Sequence, residues 1–335
     1  MLTIEELETA CNASQSVQLP KHEIEGPELS LRAMFYPYGF PIEVRTNCAQ
    51  ILEQMREKWG KFERQHDTEP MRCDVQVVES DSMECPPEPT HRIMLPQIMC
   101  VADANNYSVV DLEHCWTNIT ISRAALRYPL YAQYFLLGTA VCCVATRYAT
   151  PVHAGCVTLD GKGVLLCGDS GAGKSSLSYA CARAGWSYVS DDASFLLNGG
   201  TERIVTGNCH RVRFRPTAAT LFPEIAGHEI TPRAAGKPSI ELPTESMADV
   251  RTAQTTHVDF IVFLNRRSGD TPRLVPYRKD VARQFMRQTL YGSAESLARQ
   301  YEAIERLLVG EVFELRYSEL DWAVDRLRTL VREGR

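Results

Sequence analysis

Gly168, Asp169, Ser170, Gly171, Ala172, Gly173, Lys174 and Ser175 follow the pattern G-x-x-x-x-G-K-[ST]. Each fixed position has a physical task. The glycines let the backbone curl until several N–H groups converge on phosphate oxygens. A helix starting there adds the positive end of its dipole. Lys174 is placed to reach the β- and γ-phosphates and the Ser175 hydroxyl to ligate magnesium, with Ser176 next in the same nucleotide-binding set. Such a match arises by accident in on the order of 1% of chains this long, so the flanks decide. Residues 163–167 are apolar and strand-like, and Leu177, Ala180, Cys181 and Ala184 recur at i, i+3, i+4 and i+7, one buried helix face. Gly185 then stops the helix. The expectation is a strand, a phosphate loop and a helix that bind ATP with Mg2+.

Asp191 and Asp192 end the next strand candidate, residues 186–190. Magnesium beside a phosphate loop needs a carboxylate at the tip of a neighbouring strand. Two adjacent carboxylates can divide the work, one on the metal and one taking the proton of an attacking hydroxyl, because their pKa values are pushed apart. The bland alternative is an acidic turn. The position one strand after the loop favours a site. Arg211, Arg213 and Arg215 alternate, so one strand face could offer cations to phosphate, or simply form a solvated edge. Lys237 and Glu241, in a later loop, add another cation and carboxylate. His153 lies fifteen residues ahead of Gly168, and spacing alone assigns it nothing.

The elements that must hold these residues are legible in outline. The expected fold class is mixed α/β, with a module at residues 1–128 and a phosphate-loop domain at 129–335. In the first module, residues 32–44 suggest a hairpin or paired extended segments. Ile51, Met55 and Trp59 mark a helix, with Asn47 a plausible cap. Strands are expected at residues 71–79, 98–101 and 118–122, with an exposed loop at 80–91. Nothing there carries recognisable chemistry. Further on, residues 129–146 read as an apolar helix, 156–159 as a strand and Asp160-Gly161 as a turn. Beyond Leu196 the chain looks loop-rich until a strand at 258–264. Helices near 280–290 and 294–308, a strand at 312–315 and an amphipathic helix from Leu320 close it.

Bulk properties exclude several classes. In 335 residues, 44% are hydrophobic and 23% charged, which is ordinary for a globular protein. A net charge of −6 gives no general attraction to nucleic acid or anionic membrane, so neither is expected as a partner. No unbroken apolar run of the roughly 18 residues of a membrane span exists, the helix at 129–146 being too short and polar-flanked, and the acidic start does not read as a secretory signal. The twelve cysteines show no CxxC pair, and several sit in apolar runs. They read as reduced packing residues of a cytoplasmic protein.

Residues 153–192 resemble the catalytic domain of bacterial HPr kinase/phosphorylase. The shared features are His153 upstream, GDSGAGKS at 168–175 and the Asp191-Asp192 pair after the next strand. The resemblance implies a phosphoenolpyruvate-carboxykinase-like P-loop core and ATP-dependent phosphorylation of a serine hydroxyl on a protein or peptide. It implies Asp191 as general base with His153 adjusting its protonation. Lys174 would bind phosphates, and Ser175 with Asp192 would hold magnesium. It also suggests a homo-oligomer. The match is strong over about forty residues. The family's Glu-Ile-Arg-Gly-type segment, which supplies a metal carboxylate, is replaced by HRVRFRPTAATLFPE, and its later phosphorylase segment is not recognisable. Glu241 is one stand-in for the missing carboxylate. Three readings stay open: a serine kinase acting on protein or peptide, a small-molecule or peptide-tailoring kinase, and a non-catalytic nucleotide-sensing regulator.

Overall fold

The structure, a computed structural model, describes residues 28–231, 238–267 and 271–334, with Thr9 and Ala13. It is mixed α/β and divides into two compact units. Among the described residues, the first takes the chain up to Tyr148 together with Gly292–Ser296, and the second takes the remainder from Ala149. The helix at Pro129–Cys143 therefore belongs to the first unit.

The first unit is a seven-stranded mixed sheet. In chain order its strands are β1 (Leu31–Phe35), β2 (Ile42–Thr46), β3 (Met71–Val78), β4 (Thr90–Met94), β5 (Gln97–Asp103), β6 (Asn106–Asp111) and β7 (Trp116–Ser122). They lie in the order β1-β2-β3-β7-β6-β5-β4. The expected extended pair is the antiparallel β1–β2 ladder, while β2–β3 and β3–β7 are parallel. Helix α1 (Ala49–Trp59) makes the crossover between β2 and β3 and buries Ile51, Met55 and Trp59, the residues that announced it. Helix α2 (Pro129–Cys143) packs on β3, β6 and β7. Asn47 does not cap α1. Its amide donates to Val77 O at 2.9 Å and accepts from Val77 N at 2.8 Å, so the side chain extends the sheet instead. Strands β4 and β6 were hidden because their residues are polar or lie close to turns. Asp74 is fully buried on β3, held by Arg45 at 2.7 Å, Arg72 at 2.8 Å and Trp116 Nε1 at 3.2 Å. Burial alone would raise its pKa, but the hydrogen bonds from the two arginines outweigh that and hold it low.

The second unit contains β8 (Ala149–Val152), β9 (Ala154–Leu159), β10 (Lys162–Cys167), β11 (Ser187–Ser190), β12 (Ser194–Leu197), β13 (Ile204–Gly207), β14 (Arg211–Phe214), β15 (Ile240–Pro243), β16 (Arg251–Thr252), β17 (Thr255–Arg266), β18 (Arg273–Pro276) and β19 (Glu311–Tyr317). Four helices accompany them: α3 (Lys174–Arg183), α4 (Lys279–Arg287), α5 (Ala294–Leu307) and α6 (Leu320–Glu333). Ten strands share one sheet. Its centre is β10, antiparallel to β9 and parallel to β17, which is in turn parallel to β19. Strand β17 is long because its first residues pair with β13 and its later ones with β10 and β19.

Both faces of this centre are covered. Val164 and Leu166 face Leu177 and Cys181 of α3 and Leu327 of α6, whereas Leu165 and Cys167 share a core with Met286 of α4 and Ile304 of α5. A strand buried on both faces is apolar at every position, as residues 163–167 are. The stretch after Leu196 is not loop-rich as expected. It holds four short strands and several 3₁₀ turns. Four-residue strands interrupted by Pro, Gly and Asn carry too few alternations to stand out from sequence. Among them β14 and β15 form a separate two-stranded ribbon, whose Val212 and Phe214 pack against Tyr179 of α3 and Tyr188 of β11. Each described cysteine is a free thiol, and all but Cys85 and Cys142 are buried. No helix among the described residues is long and apolar enough to cross a membrane.

Candidate functional site

The glycine-rich loop at 168–175 leaves the carboxyl end of β10, where open α/β sheets place their ligands. Gly171 and Gly173 have φ of +95° and +100°, values that side-chain-bearing residues rarely adopt. A Cβ on Gly173 would also stand 2.9 Å from the Tyr317 hydroxyl. Gly173 is the N-cap of α3, and no side chain caps that helix end. Its first N–H groups are therefore available to whatever the loop holds. At the far end, Gly185 N–H donates to Ala182 O and Trp186 N–H to Cys181 O, at 3.0 and 3.1 Å. This Schellman-type closure is the stop expected at Gly185.

Lys174 is 4% exposed. Its Nζ donates to Gly168 O at 2.8 Å and Asp169 O at 3.2 Å, and lies 3.2 Å from Asp192 Oδ1 and 3.0 Å from His153 Nε2. An ammonium has only protons to offer, so His153 Nε2 must be the accepting nitrogen. The other ring nitrogen, Nδ1, lies 3.6 Å from Asp192 Oδ1. The structure thus brings His153, Lys174 and Asp192 together, and the contact of His153 is with Asp192.

Asp191 lies on the other side of the pair. Its Oδ2 accepts the backbone N–H of Arg213 at 2.9 Å. Burial pushes its carboxyl up to about 6, against the opposing pull of the Arg213 N–H and guanidinium and with help from the charge of Asp192. The two carboxylates therefore have different surroundings: Asp192 beside an ammonium, Asp191 under a backbone amide in a partly buried niche. Gly155, which belongs to no sequence motif, makes this possible. A Cβ there would meet Ser178 Oγ at 2.5 Å and Asp191 O at 2.9 Å, so its absence lets the Asp191 backbone lie against α3. Ser190 and Ser194 hydroxyls, 2.7 Å apart, tie the turn to Ala154 O.

The arginines are split by role. Arg215 Nη2 donates to Ser170 Oγ at 2.9 Å and so touches the phosphate loop. Arg213 is exposed, and its Nε lies 3.4 Å from Glu241 Oε1, its cross-strand partner on β15. Glu241 is thereby one residue removed from the Asp191 contact. Arg211 is partly buried on the same ribbon, where its carbonyl accepts the Tyr188 hydroxyl at 3.1 Å. Lys237 lies outside the described residues. Tyr317 and Arg266, which flank Gly173, were not found from sequence; residues at strand ends carry no periodic signal.

Among the described residues no group of three or more His, Cys, Asp or Glu is gathered to hold a metal. Magnesium beside a polyphosphate is commonly held by one or two protein oxygens, with phosphates and water completing its shell. Ser175 and Asp192 could supply those oxygens, and the buried Lys174 amine with the uncapped α3 terminus could take phosphate.

No family model and no curated protein matches this chain. Among solved structures, the HPr(Ser) kinase/phosphatase from Coxiella burnetii is similar with a TM-score of 0.29 and 18% identity, over 55% of this chain and 95% of that one. A likeness at that score decides neither fold family nor activity.

Proposed function

We propose that the second unit is an ATP- and magnesium-dependent kinase that transfers the γ-phosphoryl group to a serine hydroxyl of a protein or peptide. It would do so on a phosphoenolpyruvate-carboxykinase-like core of the HPr-kinase kind. The observation that carries this reading is the pairing of the phosphate loop with two adjacent carboxylates in unlike surroundings. Lys174 and Asp192 meet at 3.2 Å, while the neighbouring Asp191 sits apart with its carboxyl pushed up to about 6. A pure nucleotide holder needs the first carboxylate but has no use for the second.

In this reading Lys174 exchanges the carbonyls of Gly168 and Asp169 for β- and γ-phosphate oxygens. Gly168, Asp169, Ser170, Gly171, Ala172, Gly173, Ser175 and Ser176 line the same anion. Magnesium, held through Ser175 and Asp192, supplies neutralisation of phosphate charge. His153 stands beside Lys174 and Asp192 and helps to position both. Asp191 takes the proton of the serine hydroxyl as that oxygen attacks phosphorus and the bond to the β-phosphate oxygen breaks. A carboxyl near 6 is mostly ionised at neutral pH yet basic enough to accept the proton. Arg215, at the loop, and Arg213, beside Asp191, are placed to offset charge on the transferring group.

The test is transfer of label from ATP, with magnesium, to serine-containing protein and peptide acceptors. Wild type should transfer label, and Asp191→Asn should bind ATP but transfer nothing. ATP binding by wild type with no transfer to any acceptor would leave only a nucleotide sensor, and transfer to small molecules alone would make it a metabolite kinase.

A further inference from the structure

Three sets of hydrogen-bond donors meet at Gly173. The first is the amino end of α3, ten residues long and without a side-chain cap. The second is the Tyr317 hydroxyl. Tyr317 is 1% exposed, its hydroxyl has no hydrogen-bond partner, and it stands 2.9 Å from the Cβ position of Gly173. The third is Arg266, whose Cδ lies 3.9 Å from that same position and whose residue is exposed. The sheet register explains the convergence. Arg266 ends β17 and Tyr317 ends β19, these strands are parallel, and the two residues are direct partners. Strand β17 is also the parallel neighbour of β10, so both side chains arrive at the edge from which the loop departs.

A buried hydroxyl without an acceptor costs about 1–3 kcal/mol, and such groups in folded proteins call for an explanation. Here the neighbours are a cation and a helix amino end, so what is missing is an acceptor with negative charge. The glycine itself supports this reading. Its φ of +100° turns the Cβ direction toward the hydroxyl, and any side chain there would fill the gap between hydroxyl and loop.

We propose that Arg266 and Tyr317 form an anion subsite at the amino end of α3 that binds the polyphosphate chain of the nucleotide. Arg266 supplies a charge-assisted contact, and Tyr317 donates its hydroxyl to the phosphate chain when the loop closes on it. The proposal rests on the nucleotide reading above but adds residues that no loop pattern specifies, from two strands far along the chain.

The experiment is calorimetric titration of the full chain with ATP, ADP and inorganic tripolyphosphate, magnesium present, for wild type, Lys174→Ala, Arg266→Gln and Tyr317→Phe. Arg266→Gln should weaken all three ligands by about 10- to 100-fold, the range for one charge-assisted contact. Tyr317→Phe should weaken them by about 3- to 10-fold. The ligand-free melting temperature of Tyr317→Phe should stay level or rise, because the hydroxyl has no partner to lose. Wild-type affinity in both variants while Lys174→Ala loses binding would overturn the subsite and leave the nucleotide reading intact. A loss confined to ATP and ADP, with tripolyphosphate unaffected, would place the contact off the phosphate chain and also overturn it. Failure of wild type to bind any of the three ligands would sink both readings.

Discussion

Asp191→Asn should make the protein more stable at pH 8 while abolishing phosphoryl transfer. The carboxyl rises from an ordinary 3.8 to about 6 because burial disfavours its charge. At about 1.36 kcal/mol per unit, that rise corresponds to an order-of-magnitude cost of about 3 kcal/mol for carrying the ionised group. The sign follows from proton linkage. The folded state holds the proton more tightly than the unfolded state, so the favourable contribution is complete below about 4 and lost as pH rises through about 6. Asparagine never ionises and keeps an oxygen to accept the Arg213 N–H. It should recover part of the cost, about 1–3 kcal/mol, once the altered hydrogen bonding is discounted. For a unit of this size that is on the order of 2–4 °C in melting temperature per kcal/mol. The assay is thermal and urea unfolding of wild type and Asp191→Asn without metal or nucleotide, at pH 8 and pH 4. The gain should be present at pH 8 and absent at pH 4. A variant less stable than wild type at pH 8, or a difference independent of pH, refutes the claim that burial raises this carboxyl.

Three further outcomes follow from the same geometry. The rate of transfer should rise about tenfold per pH unit below 6 and level off above, and Arg213→Ala should move the half-point upward, because its guanidinium helps keep Asp191 ionised; a pH–rate profile checks both. Asp74→Ala should destabilise the first unit by about 2–4 kcal/mol, since it strands Arg45 and Arg72 without their carboxylate, and urea denaturation reads the loss. The Asp74 contribution should also fade in acid, because a depressed carboxyl stabilises above its unfolded value and is lost as pH drops through its folded one. Gly173→Ala should cost about 1–2 kcal/mol from the left-handed backbone alone, with a further clash against the Tyr317 hydroxyl that Tyr317→Phe relieves in the double variant.

Much of the local structure could be read from residue types. The order of β10, loop and α3, the Gly185 stop and the Asp160-Gly161 turn all follow from short-range chemistry. A phosphate loop needs glycines at fixed offsets, a helix buries every third or fourth residue, and a two-residue turn needs positive φ, found here at 52° and 78°. Asn47 shows where local reasoning fails. An asparagine before a helix is a good cap, but β3 offers Val77 both an acceptor and a donor, and pairing with the sheet wins. The short strands between Ser194 and Pro243 were equally hidden, since four residues do not reveal a period and their partners lie far along the chain.

The division at the candidate site is sharper still. The sequence by itself singled out Lys174, Ser175, Asp191 and Asp192, because their spacing reflects one strand, one loop and the next strand, whereas His153 stood out only through a family resemblance. Which of them touch was decided only by the tertiary structure. The junction of β8 and β9 sets His153 beside Asp192 and Lys174, and the β14 ribbon caps Asp191 with the Arg213 amide. Arg266 and Tyr317 reach Gly173 because β17 and β19 run parallel to β10 and end together. Strand neighbourhood is a property of sheet order, and sheet order comes from burying two faces at once rather than from any local pattern of residues.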